Sequence, residues 1–455
     1  MPVHRPAKPK KSRRPADPLA GLPPLHLNAA GIDVGSAAHY VAVPPDRDPE
    51  PVRRFDSFTA DLHALANWLE ACGIDTVAME STGVYWIALY QVLEARGFEV
   101  RLVNARHAKN VPGRKTDVAD CQWLQQLHTF GLLKDSFRPE DSICVLRSLL
   151  RQRENLVAAA STCVQHMQKA MVEMNIQLAN VISDITGETG LAIIRAMLAG
   201  ERDPVRLAQL KNPRIQASTD TIVRSLQGNW RDELLFILGQ SLWLYECYQA
   251  KIAECDLRLE TQLRSFDEKA TPPPPLRPRR PSRGSNRPAF DLQSHLHRIT
   301  GVDLTRIDGL NVLTIQTIIS EVGLDMSPWP TEKHFTSWLG LCPDNRISGG
   351  KVLKRKTRKV INRAATAFRL GAWNLLRSQS ALGANYRRLR ARLGAPKAIT
   401  AMANKLARIF YRMLKYGQDY VDQGMEYYES RFREQQLKWL QKQAKMLNMQ
   451  IVPVQ

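Results

Sequence analysis

Cysteine is scarce in this chain and never closely paired. Its 455 residues hold seven cysteines, at 72, 121, 144, 163, 247, 255 and 342, with no Cys-x-x-Cys. An odd, scattered set in a long chain excludes a disulfide scaffold and the short zinc-ribbon spacings, and each thiol reads as a small buried hydrophobe in a reducing compartment. No uncharged apolar run reaches the roughly 18–20 residues that span a bilayer. The opening "MPVHRPAKPKKSRRP" lacks the apolar stretch of a signal peptide, so a cytoplasmic protein is expected, nucleoid-associated in a prokaryote. Only one Gly-Gly pair occurs, Gly349-Gly350, and it lies in a basic stretch. No fixed-period repeat occurs. Acidic residues are also in short supply, with 44 Asp+Glu against 64 Lys+Arg and a formal net charge of +20. That balance favours a polyanionic partner, most often nucleic acid.

The length calls for two or three domains. Residues 1–27 read as a disordered basic tail. Over 28–139 strand and helix patterns alternate: "HLNAAGIDVGSAAHYVAVPP" as a hairpin turning at Gly35-Ser36, "VRRFDSF" as a third strand, then "IDTVAMEST" and "FEVRLVNA" as strands between helices. Thr59 is the expected cap of the first helix and Gly73 its stop. This alternation predicts an α/β domain with a partly parallel sheet. Residues 140–268 are mostly helical, with two long apolar-striped runs that fit a helix hairpin or coiled coil, separated by broken helical pieces. A Pro/Arg-rich linker at 269–295 follows, then a mainly helical domain at 296–425 with an irregular stretch at 326–360, and a charged helical tail at 426–455.

Four acids draw the eye in the α/β part. Asp33 ends the first strand in "GIDVG", Glu80 ends a later one in "AMEST", and Asp117 and Asp120 sit one turn apart at the start of the next helix, with Thr116 as its cap. Singly, each has an ordinary explanation: a turn cap, a salt-bridge partner, an acid favoured in a first helical turn. Together, strand ends on one edge of such a sheet converge near a helix N-terminus. Converging carboxylates need cations, and Mg2+ takes oxygen ligands. Two such ions, with Mn2+ as a substitute, set about 3.5–4 Å apart, clamp the attacking and leaving oxygens of a phosphodiester.

The second informative segment is "RISGGKVLKRKTRK". Small residues let a phosphate backbone approach, and Lys351, Lys354, Arg355, Lys356, Arg358, Lys359 and Arg363 follow within thirteen positions. With Gly349, Gly350 and Lys115 they are the candidate nucleic-acid-binding residues. Trp338 and Trp373, near these basic surfaces, could stack on bases, but tryptophan at helical spacing is more often core.

The pattern Asp, Glu, Asp-x-x-Asp on strand, strand and helix resembles the RuvC-like branch of the ribonuclease-H fold. More narrowly, "AMESTGVYW", "VRLVNARHAKNVPGRKTDVADCQWLQQL", "LTRIDGLNVLTIQTIISEVG" and "FTSWLGLCPDNRISGGKVLKRKTRKVINRAATAF" resemble the DEDD-type insertion-sequence transposases, bridge-RNA-guided recombinases, over about 28–175 and 300–420. The resemblance implies an enzyme that cleaves and transfers DNA strands. Asp33, Glu80, Asp117 and Asp120 would be catalytic and hold the metal, and Ser348 would be the nucleophile that forms a covalent phosphoserine with DNA. It also implies a structured guide RNA, donor and target DNA as partners, and a dimer or tetramer in which one protomer's serine domain completes another's acidic site. "LTRIDGLNVLTIQTIISEVG" reads as a helix-hairpin-helix-like element turning at Gly309, with Asn311 in place of the usual second glycine, or as a hairpin that serves packing alone. Competing readings are a metal-dependent nuclease or junction resolvase with water as nucleophile, a nucleic-acid-binding protein without catalysis, and an actin-like or sugar-kinase ATPase. "GIDVGSAAHYVAV", which carries the transposase resemblance as well, also resembles the first phosphate loop of the last class, whose further loops are lacking here.

Overall fold

The computed structural model describes residues 21–81, 83–104, 116–270, 286–358, 360, 362–417 and 424–451. The chain forms two compact units that divide between Arg138 and Pro139. The first is mixed α/β around a five-stranded sheet and the second is mostly helical.

In the first unit β1 (Ala29–Val34), β2 (Ala38–Ala42), β3 (Val52–Asp56), β4 (Thr76–Glu80) and β5 (Glu99–Val103) lie in the order β3-β2-β1-β4-β5. The β1–β2 and β2–β3 pairs are antiparallel; β1–β4 and β4–β5 are parallel. Alternation along β1 sends Ala30, Ile32 and Val34 to one face, where they meet Val77 and Met79 of β4. Two helices cover that face. Helix α1 (Thr59–Ala71) contributes Leu62, Leu65, Ala66 and Leu69, at the spacing of one helical stripe, and α2 (Trp86–Ala95) contributes Leu89 and Leu93. Phe58, not Thr59, is the N-cap of α1, and no side chain caps that helix. Gly73 closes α1 with φ +66°.

The other face, carrying Gly31 and Asp33, receives α3 (Asp117–Thr129). Of the basic tail expected at 1–27, residues 1–20 lie outside the described residues. Its end is tied down: the Leu25 and His26 amides both donate to the Thr129 carbonyl, at 2.8 and 2.9 Å.

In the second unit two 33-residue helices, α4 (Asp141–Glu173) and a later partner (Asp232–Arg264), pack antiparallel. Between them come α5 (Leu178–Val181), α6 (Glu188–Leu198), α7 (Pro204–Gln209) and α8 (Thr219–Ser225), so the long partner is α9. Their shared core includes Met167, Met171, Ile193, Leu238 and Leu242. Most of the expected linker, residues 271–285, lies outside the described residues, and helix α10 (Leu292–Thr300) already starts within its last turn of sequence.

The remaining elements are α11 (Val312–Val322), α12 (Glu332–Trp338), the hairpin β6 (Pro343–Ser348) and β7 (Lys351–Thr357), α13 (Arg363–Asn374), α14 (Ala381–Leu393), α15 (Ala395–Tyr416) and α16 (Gly424–Met446). Phe335, Phe368, Phe410 and Tyr411 form their aromatic centre. Gly309 does turn the chain, with φ +89°, but a Cβ there would meet the Gly371 carbonyl oxygen at 2.4 Å. Asn311 is extended, and its side chain caps α11 by accepting from the Thr314 amide at 2.8 Å. The turn therefore packs against α13, and Asn311 does not substitute for a left-handed glycine. Trp338 lies against Trp329 and Phe335, whereas Trp373 is 62% exposed, so the core reading fails for Trp373.

Candidate functional site

The acidic end of the first unit is set by how α3 crosses the sheet. His128 Nε2 meets Thr76 Oγ1 at 2.9 Å, and Gln125 Nε2 donates to the Ala29 carbonyl at 3.3 Å. One turn nearer the N-terminus, the α3 backbone rests directly on Gly31: an added Cβ would sit 2.5 Å from the Cys121 oxygen. The helix therefore runs antiparallel to β1. From Gly31 to Asp33 is about 6.6 Å of strand, and the same length of helix is about four residues, which reaches the Asp117–Asp120 turn. Register does the rest. Ile32 pairs with Met79, so Asp33 and Glu80 end adjacent parallel strands side by side.

Electrostatics report the same neighbourhood. The Cys121 thiol is pushed up to about 12, by burial first, then by the carboxylate of Asp33, with Asp120 a smaller contributor. Thr116 accepts from the Ala119 amide at 3.2 Å, so the cap expected from sequence starts the helix at Asp117. Asp33, Glu80 and Asp120 are half-buried and Asp117 is exposed. Ser81, missed from sequence, bonds the Val103 carbonyl through both its amide and its hydroxyl and so secures the strand end that carries Glu80. Among the described residues, no three His, Cys, Asp or Glu side chains stand close enough to hold one metal ion. The fold brings the four carboxylates to one level of the sheet. As a donor set, four carboxylates at one sheet end suit a hard divalent cation.

His128, at the far end of α3, is buried and held down to about 4, chiefly by burial and secondarily by His26. The folded state thus keeps a neutral imidazole that the unfolded chain protonates below about 6.5. Its contribution is present above that pH and is lost as pH falls towards about 4, roughly 2 kcal/mol between pH 7 and pH 5. Urea unfolding of the first unit is expected to show a lower midpoint at pH 5 than at pH 7, and His128→Gln is expected to flatten that dependence.

The second candidate region is the β6–β7 hairpin, in the other unit. Ser348 ends β6 opposite Lys351, and Gly349 and Gly350 form the turn with φ +54° and +76°, with no atom within 4 Å of where a Cβ would stand. The sequence pattern predicts an irregular stretch here; the structure has a two-stranded ribbon whose described side chains are exposed. Ser348, Lys351, Lys356 and Arg358 are exposed. Arg358 is turned back, donating to the Ser337 carbonyl at 2.9 Å, and Arg363 forms an ion pair with Glu154 of α4. Both have protein partners where phosphate contacts were expected. Lys115 and Lys359 lie outside the described residues, as do the side chains of Lys354 and Arg355.

All seven cysteines are free thiols, three of them buried. No helix among the described residues is long and apolar enough to cross a membrane. Two family models match. Residues 30–176, which hold all four acids, match a DEDD-type model described as a transposase, and residues 303–387, which hold Ser348 and the hairpin, match the transposase family IS116/IS110/IS902. No curated protein matches the chain.

Proposed function

The chain belongs to the DEDD-type IS110 family of transposases, enzymes that recombine DNA as part of an insertion sequence, and from that premise we propose how its own residues divide the work. The family carries a dependence on divalent metal, commonly Mg2+. The sheet order β3-β2-β1-β4-β5, antiparallel then parallel, supports a RuvC-like domain at 28–139. The observation that carries the reading is the placement of Asp33, Glu80 and the Asp117–Asp120 turn at one end of that sheet.

In this reading the four carboxylates hold two Mg2+ ions, whose chemistry when bound is to neutralise charge building on a phosphodiester. Ser348 is the nucleophile. Its Oγ–P bond forms as one P–O ester bond of the DNA strand breaks, and the serine proton ends on the released hydroxyl. The bond energy is kept in the phosphoserine, so a second DNA hydroxyl rejoins the strand by the reverse step. Gly349 and Gly350 let the backbone approach the phosphate, and Lys351 and Lys356 hold it. In this reading the chain is divided into a helical region at 140–268, a linker at 269–295 and a serine domain at 296–425. Exposed Phe236 and Trp243, seven residues apart on α9, support an oligomer built on the long helices. The net charge of +20 supports a structured RNA beside the DNA.

The test is a denaturing gel with the protein, Mg2+, the element's flanking non-coding RNA and labelled DNA. A protease-sensitive shifted band is expected from the wild type, lost in both Ser348→Ala and Asp120→Ala. Free nicked DNA that survives Ser348→Ala and not Asp120→Ala would make the protein a nuclease that uses water.

A further inference from the structure

The tip of the hairpin carries apolar surface in a basic setting. Ile347 and Val352 oppose each other across β6–β7, and Leu353 is the extra residue of the bulge that follows, with nothing opposite it. They are 63%, 39% and 69% exposed. The ribbon is two-stranded, with no further strand paired to it among the described residues. Lys351, also exposed, lies between this apolar group and the turn, and Lys356 further along β7. Folding gains nothing from three aliphatic side chains left in water, so their use lies in what they meet.

Three side chains cover at most a few hundred Å2, well below the ~800 Å2 per partner of a stable protein interface. A second copy of a basic hairpin is also repelled. The cationic flank fits polyphosphate, and the apolar surfaces a DNA duplex offers are its base faces and thymine methyls. Base faces open to a side chain only where a step is unstacked, and apolar residues wedged between bases do this in proteins that kink DNA. A two-stranded ribbon is narrow enough to enter a groove.

We propose that Ile347, Val352 and Leu353 form a wedge that unstacks one base step of duplex DNA beside the phosphate that Ser348 attacks. The position follows from spacing. Ile347 adjoins Ser348, one residue is about 3.8 Å of chain, and one base step is about 3.4 Å of strand, so the opened step is the scissile one or its neighbour. The wedge deepens the serine reading and rests on it for its place. Opening the step loosens the backbone around the scissile phosphate, and it confines cleavage to steps that unstack readily, which would make pyrimidine–purine steps preferred sites.

The experiment uses full-length protein with the flanking RNA and duplex DNA carrying a fluorescent purine analogue at the cleaved step. Wild type is expected to brighten the probe, and an Ile347→Ser/Leu353→Ser variant to bind without brightening it. On intact duplex the variant is expected to cleave about ten- to a hundredfold more slowly, since unstacking a step is worth a few kcal/mol. A mismatch placed at that step is expected to restore most of the rate. Because these side chains are exposed, the variant should melt with the wild type. The wedge is overturned if wild type leaves the probe stacked, if the variant cleaves intact duplex at the wild-type rate, or if the mismatch gives no rescue. A variant whose oligomeric mass changes without DNA would make the tip a protein contact and also overturn it. The fluorescence readout needs binding alone, so it decides the wedge even if wild type forms no covalent adduct, a result that would count against the serine reading instead.

Discussion

Alanine at Gly31 is expected to lower the stability of the first unit by about 3 kcal/mol and to cut strand cleavage by about a hundredfold or more. The strand has no space for a methyl group there: the new Cβ would lie 2.3 Å from the Gln125 nitrogen and 2.5 Å from the Cys121 oxygen. Both are backbone atoms of α3, so no rotamer change relieves the clash and the helix itself must move by about 1 Å to reach van der Waals contact. That helix carries Asp117 and Asp120, while Asp33 and Glu80 stay with the sheet. The substitution therefore pulls one pair of carboxylates from the other without altering any of them. Cleavage should be measured well below the melting temperature, with DNA affinity as the control, because the hairpin lies in the other unit. Affinity near wild type with cleavage lost is the expected pattern. A variant that melts and cleaves like wild type would mean that the approach of α3 to β1 does not set the acidic site.

Gly31 also shows what was legible in the sequence and what was not. "GIDVG" read correctly as a strand end, because alternation of Ala30, Ile32 and Val34 needs only local pattern. The close helix crossing at its first glycine was not read, because the partner atoms lie some ninety residues on. The Asp117 helix and its Thr116 cap were legible for the same local reason. The hairpin was missed because strand patterns are recognised by one buried face, and none of the described side chains of this ribbon is buried. Arg363 looked like one more phosphate ligand in a basic run, yet Glu154, 209 residues earlier, takes it up. Asn311 looked like a glycine substitute and proved to be a helix cap, a role that Asn favours as strongly as turns. Charge density alone therefore overcounts the residues open to a phosphate, since Arg358 and Arg363, though exposed, already have protein partners.

The same blindness to distance hid a buried ion pair in the second unit, and Arg153→Met is expected to weaken that unit by about 3–5 kcal/mol. Arg153 on α4 and Asp256 on α9 are both buried, with Nε to Oδ1 at 2.5 Å. The pair is not isolated. Arg153 Nη1 donates to the Asn286 carbonyl at 3.2 Å, and the Ala289 amide donates to Asp256 Oδ2 at 3.0 Å. The long helix hairpin thereby grips the chain where it leads into α10. Removing Arg153 alone strands a buried carboxylate with a single amide donor, whereas Arg153→Met with Asp256→Leu removes both charges and leaves apolar volume. The double variant is expected to recover most of the loss, so the two single effects should be far from additive. Thermal unfolding of the helical unit in the four proteins of this cycle reads the coupling directly. Additive effects would show that the pair contributes nothing beyond its packing. A double variant as stable as wild type that recombines DNA poorly would show that the pair serves to fix the path of residues 286–289, since that path is what the two apolar replacements cannot hold.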